Sequence, residues 1–170
     1  MVSVPQHPDQ PPTVAGDPER VYRGLWARDG GLVTIEDADG TITGVLAHVV
    51  RHSRSGLAWG YSGSGPADLA RSLIIDALEH EARCSTCAGT GIWDAALGLS
   101  VDADELTEEA HEEFVGTCPD CDDGWSPLVG RIYQRLKIAV ISTLPPEGDW
   151  CMSRAEVVAF VSGERARIGL

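Results

Sequence analysis

The 170 residues carry 26 acids against 13 Lys and Arg, a formal net charge of −13, with 43% apolar residues. That balance argues against nucleic-acid binding, which depends on Lys and Arg to neutralise phosphates. No run of 18 apolar residues occurs, so no segment reads as a membrane span. The charge is uneven: eleven of the acids and none of the bases lie between Cys84 and Gly124. Elsewhere the bases form only small clusters, Arg51 with Arg54, and Arg131 with Arg135 and Lys137.

The first 19 residues hold Pro5, Pro8, Pro11, Pro12 and Pro18 and read as a disordered tail. They have no apolar core of a secretory signal, which makes the cytoplasm the expected compartment. Val21 to Leu25 opens a β-like region. Leu32 to Glu36 and the β-branched run Thr41 to Val50 flank an Asp37-Ala38-Asp39-Gly40 turn and read as a hairpin. His52 to Gly60 is a further short strand candidate, with Trp59 packing inward.

Gly60, Gly63 and Gly65 then form a Gly- and Ser-rich loop that runs into a helix expected from Pro66 to Arg83. Asp68 falls in its first turn, and Leu69, Ala70, Leu73, Ala77 and Leu78 recur at core spacing. A Gly-rich helix start can bind anions through free N–H groups. Neither the GK[ST] of a P-loop nor the third Gly of a dinucleotide fingerprint is present, and Asp68 would repel a phosphate. The loop therefore reads first as a structural turn. The alternative is a cradle for a small anionic ligand such as a nucleotide, built from Gly63, Ser64 and Gly65 with Arg51, Arg54 and Arg71.

A second helix is expected from Pro127 or Leu128 to Thr143, with Val129, Ile132, Tyr133, Leu136 and Val140 on one face. Ser153-Arg154-Ala155-Glu156 is a capping-box sequence for a short helix through Ser162, with Gly163 as its stop and 163–170 as a tail. The fold class is α+β: a small antiparallel sheet packed against two or three helices. Residues 20–83 and 126–162 form its core, and 84–125 form an inserted module.

Cysteine spacing defines that module. Cys84-Ser85-Thr86-Cys87 and Cys118-Pro119-Asp120-Cys121 are two CxxC knuckles, each followed by Gly and then Trp. Two intervening residues let a tight turn present both sulfurs to one ion, and a second turn completes a tetrahedron of thiolates. Soft ligands in that geometry favour one Zn²⁺, with iron the main rival. Four protein ligands leave no open position, so the metal is expected to be structural. The acidic stretch 102–115 between the knuckles reads as a short helix. Either it is a solvated face or, with the rest of 92–117, it docks a basic protein partner or mimics nucleic-acid charge. Cys151 reads as a small buried residue, and His48 and His80 as packed or exposed rather than ligating. No Ser–His–carboxylate set is identifiable in the sequence, so an enzyme is not expected.

The first knuckle, Cys84-x-x-Cys87-x-Gly89-x-Gly91, resembles the CxxCxGxG zinc modules of DnaJ-type chaperones. The second departs from that pattern at Asp122 and Asp123, and no J-domain His-Pro-Asp is present, so the resemblance implies zinc ligation and no chaperone activity. Outside the cysteines, a second set of motifs stands out. These are Tyr22-Arg23-Gly24, His52-Ser53, Gly56, Trp59-Gly60-Tyr61, Gly63 to Ala67, Leu69-Ala70, Tyr133-Gln134-Arg135, Lys137, Leu144-Pro145 and Trp150. They resemble a family of small proteins of unknown function from actinobacteria, phages and mobile elements. That resemblance implies a zinc module inserted between two helices otherwise joined directly, and no activity. Together these readings point to a non-catalytic zinc-binding protein that acts as an interaction or regulatory module.

Overall fold

The computed structural model describes residues 19–26, 31–94, 98–100 and 115–169. In chain order these contain β1 (Val21–Leu25), β2 (Leu32–Glu36), β3 (Ile42–Val45), α1 (Ser64–Leu78), β4 (Ile92–Asp94), β5 (Leu99–Ser100) and β6 (Val115–Thr117), then α2 (Pro127–Ala139), β7 (Trp150–Ser153) and α3 (Arg154–Ile168). Strands β3-β2-β1-β7 form one antiparallel sheet, and β5-β4-β6 form a second, smaller one. The α+β class expected of the sequence is the observed one.

The larger sheet begins with the expected hairpin. The Asp37 carboxylate accepts the N–H groups of Asp39 and Thr41 and folds the turn between β2 and β3. Side chains alternate across β1, so Tyr22 is fully buried while Arg23 points outward to a bidentate pair with Glu36. Tyr22 sits opposite Met152 of β7, and both face the helices. Its hydroxyl donates to Asp76 of α1 at 2.7 Å, and Arg20 pairs with the same carboxylate at 2.9 Å. Burial, reinforced by the Asp76 charge, raises the Tyr22 pKa and keeps the phenol neutral.

Helix α1 is the centre of the molecule. Leu69, Ala70, Leu73, Ile74 and Ala77 have no exposed surface, and thirteen of its fifteen residues are buried. A helix enclosed on every side must touch several layers at once, and α1 packs against both α2 and α3. Each large aliphatic side chain buried there contributes about 1.5–3 kcal/mol. Helix α2 presents the expected stripe of Val129, Ile132, Tyr133 and Leu136. Three tryptophans close one end: Trp59 meets Trp150 edge-on at 5.6 Å and Trp26 at 6.2 Å. Trp26 is nevertheless 40% exposed, so it is only partly a core residue.

Several boundaries differ from the sequence reading. Helix α1 starts at Ser64, two residues earlier than expected, which moves Pro66 inside the first turn and Asp68 into the second. It ends at Leu78 in a 3-10 turn, Glu79–Ala82. Helix α2 stops at Ala139 because Val140 leaves helical geometry, and Ile141–Thr143 is a separate 3-10 turn. Strand β3 is shorter than the Thr41–Val50 run, and 52–60 forms a loop, not a strand, with a single-residue bridge between Leu57 and Gly31. The last helix does not stop at Gly163. It runs to Ile168 and closes at Gly169, whose left-handed φ of 74° turns its N–H back to Arg165. An exposed helical Gly is tolerated at a modest penalty, whereas the left-handed position is where a helix ends. Residues 1–18 of the expected 1–19 tail lie outside the described residues.

Candidate metal centre

The backbone leaves the core and returns to it at one place. Ser126 N–H donates to the Ala82 carbonyl at 2.8 Å, and Arg83 forms a bridge with Trp125. The two knuckles therefore stand side by side on a common base. They also lock reciprocally: Cys84 N–H donates to Gly124 O at 2.8 Å, and Cys118 N–H donates to Gly91 O at 2.9 Å. The first Cys of each knuckle thus binds the glycine tail of the other. Gly91 and Gly124 have φ of 73° and 84°, and a Cβ on Gly124 would lie 2.2 Å from the Gly89 oxygen. The paired Gly tails visible in the sequence are required by this crossing.

The four sulfurs of Cys84, Cys87, Cys118 and Cys121 lie within 4.8 Å of one another. Cys84 and Cys118 are 4.0 Å apart, and Cys87 and Cys121 are 3.7 Å apart. A tetrahedron of thiolates about a metal at ~2.3 Å has edges of roughly 3.8 Å, so the donor set fits a tetrahedral ion. Cys84, Cys87 and Cys118 are buried and Cys121 is half-buried. Burial alone would raise the Cys87 pKa, but N–H groups of Gly91 and Gly89 point at its sulfur and bring it down to about 7. Gly91 N lies 3.2 Å from that sulfur. Burial, followed by the neighbouring Cys118 and Cys87, pushes Cys121 up to about 12. Four thiols packed this tightly cannot all ionise unless a cation joins them. These residues could hold one metal ion, and all four are the cysteines expected from the spacing.

The anion-cradle residues are placed differently from one another. Gly63 and Gly65 lie against the Tyr61 ring and Ala58: a Cβ would approach to 2.4 Å and 2.8 Å respectively. Ser64 and Arg54 are exposed, Arg54 on the loop before Tyr61. Arg71 is 1% exposed on α1 and points to Asp122, with Nη1 at 3.3 Å from the carboxylate. Arg51 pairs with the same Asp122 carboxylate. Two of the three arginines are thus brought together, onto a residue of the second knuckle. Burial, with repulsion from Arg51, lowers the Arg71 pKa.

Asp68 has a role that sequence reasoning missed. Fully buried, it accepts the N–H groups of Arg51, His52 and Ser53 and contacts His48 Nε2 at 3.1 Å. It moulds the loop rather than flanking an open cradle. His52 stacks on Tyr133 and meets its hydroxyl at 2.9 Å, which ties the same loop to α2. Cys151, expected to be buried, is exposed because β7 turns it away from the helices. The expected acidic helix at 102–115 falls outside the described residues, except that Val115 opens β6.

Residues 22–117, more than half of the chain, match the model of a family of unknown function, DUF6166. The chain belongs to this family. The DUF6166 match runs from the second residue of β1 through β6, takes in the Gly-rich loop, α1 and the first knuckle, and ends one residue before Cys118. The second knuckle, α2 and α3 lie beyond it. No curated protein and no solved structure matches the chain. No described helix is long and apolar enough to cross a membrane.

A cleft of about 1130 Å³ opens beside the sulfur cluster, between the 3-10 turn, the knuckles and α3. Its walls carry both charge signs, Arg83 and Arg165 lining it together with Glu81, Asp120 and Asp122. Arg165 and Glu81 approach to 3.8 Å across it.

Proposed function

We propose that this DUF6166 member is a non-catalytic zinc protein in which one structural Zn²⁺ fastens an acidic interaction module to an α+β core. The tetrahedral spacing of the four sulfurs carries this reading. Thiolate donors favour zinc, and four of them fill the coordination sphere and leave no position for substrate or activated water. The metal therefore supplies folding free energy. Structural zinc in finger peptides contributes about 10–16 kcal/mol of apparent binding energy, more than a small acidic segment can gain from its own core.

The acids concentrated between Cys84 and Gly124 support a role for 92–117 in docking a basic protein partner. A setting in host regulation or counter-defence rests only on the resemblance to phage and mobile-element proteins. The second reading, capture of a small anion at the Gly63–Gly65 loop, has the Arg51–Arg71 pair in its favour.

The test is metal analysis of protein purified without chelator, combined with a variant in which 92–117 is replaced by a short Gly linker. One zinc per chain, and loss of partner binding in a variant that still melts cooperatively, is the expected result. Far less than one zinc per chain overturns the metal assignment. Iron at that stoichiometry overturns its identity, and retained partner binding overturns the role of 92–117.

A further inference from the structure

We propose that Asp122 couples metal loading to the packing of the core, because the four-sulfur centre holds this carboxylate against the buried guanidinium of Arg71 on α1. The inference rests on the zinc reading and extends it to the regulation of the same site.

Arg71 sits on the most enclosed helix of the protein with 1% of its surface exposed. Its Nε has no hydrogen-bond partner among the described residues, and its Nη1 reaches Asp122. A buried guanidinium that loses its carboxylate is strongly destabilising. Asp122 does not belong to the core that Arg71 occupies. It follows ligand Cys121 directly, and a tight turn fixes it, with hydrogen bonds exchanged between Asp122 and Trp125 at 3.2 and 3.0 Å. That turn contains Asp123 and Gly124 in the left-handed region, and Gly124 is pressed on Gly89 of the other knuckle. Its position thus depends on the two knuckles being joined, and a metal ion on the four sulfurs would reinforce the hydrogen bonds that lock them.

The effect reaches further through Arg51. Its side chain pairs with Asp122, while its backbone N–H donates to Asp68. The loop moulded around Asp68 and the core helix therefore share one anchor on the metal module. Releasing the ion frees Asp122, leaves two guanidinium groups facing each other, and loosens both α1 and the loop carrying His48 and His52. In this arrangement metal availability sets the order of a surface more than one element away from the sulfurs.

Linkage makes this testable without touching a ligand. If bound metal strengthens the Asp122–Arg71 contact, Arg71 must strengthen metal binding by the same factor. Arg71→Met removes the guanidinium and keeps an apolar stem, a replacement that buried ion pairs often tolerate. We expect Arg71→Met to bind zinc about 5–10-fold more weakly in chelator competition. Chelation should accelerate hydrogen exchange of the α1 amides at least several-fold more in the wild type than in Arg71→Met. Should Arg71→Met fail to fold, the exposed Arg51→Met carries the same test with a smaller shift in the same direction. Unchanged zinc affinity in a folded variant, or equal chelator effects on α1 in both proteins, overturns the coupling. Absence of zinc from the wild type overturns the metal reading instead, and stoichiometry identifies that outcome first.

Discussion

At the scale of single residues, one buried carboxylate, Asp68, moulds the loop before α1. Burial alone would raise the Asp68 pKa, but the N–H groups of Ser53, Arg51 and His52 and the His48 ring outweigh it and hold it below the usual carboxylate range. A depressed carboxylate stabilises the fold above its unfolded pKa of about 3.9 and loses that contribution as pH falls through the lower folded value. Asp68→Ala should lower the unfolding free energy by about 2–4 kcal/mol at neutral pH, since several buried N–H groups lose their acceptor. The gap between Asp68→Ala and the wild type should then narrow below pH 4. Denaturant titrations across pH 2–7 (a range set by that reference value) measure both; equal stability at pH 7 would falsify the assignment. The cysteine ligands were legible because ligation imposes spacing along the chain. Asp68 and Asp122 were not, because their partners lie 16 and 51 residues away in sequence. An isolated Asp looks the same whether it caps, repels or anchors.

At the scale of elements, periodicity located α1 and α2, a capping box located α3, and a turn signal between β-branched runs located the β2–β3 hairpin, while end points followed rules that these patterns do not contain. The final helix shows why. Its start was readable: Ser153 accepts from Glu156 N–H while the Glu156 carboxylate accepts from Ser153 N–H, the reciprocal box that the four-residue motif encodes. Its end was not, because Gly163 and Gly169 are the same letter with different backbone geometry. A Cβ on Gly163 meets nothing within 4 Å, and its residue is exposed in mid-helix. Gly163→Ala should therefore stabilise the protein by about 0.5–1 kcal/mol, and Ser153→Ala should destabilise it by about 1 kcal/mol. Urea midpoints of the two variants, moving in opposite directions, check the boundary. A loss of stability in Gly163→Ala would restore the shorter helix.

For the whole molecule, the four-cysteine module and the central helix are joined by the Asp122–Arg71 pair, whatever their separation along the chain. A ligand that binds only the folded state adds RT ln(1 + [L]/Kd) to stability. Above saturation, each tenfold rise in free zinc should add about 1.4 kcal/mol. For a chain of this size that is roughly 3–5 °C in Tm per decade. Thermal melts in zinc buffers read this directly. A Tm independent of free zinc would mean that the centre contributes nothing to global folding. The fold class and the β2–β3 pairing were visible in the sequence, but the β1–β7 pairing was not, because no local pattern announces that β7 lies beside β1.

That pairing has a consequence for how the chain is made. β1 emerges from a ribosome well before its neighbour β7, with Trp26 N–H waiting for a carboxylate 123 residues downstream. Until then Tyr22 has no Met152 opposite it, and one side of β1 is an unpaired edge. Both knuckles are synthesised before that gap closes. The four-cysteine centre can therefore assemble on a nascent chain whose sheet is still open, and β7 closes that sheet in a slow, long-range step.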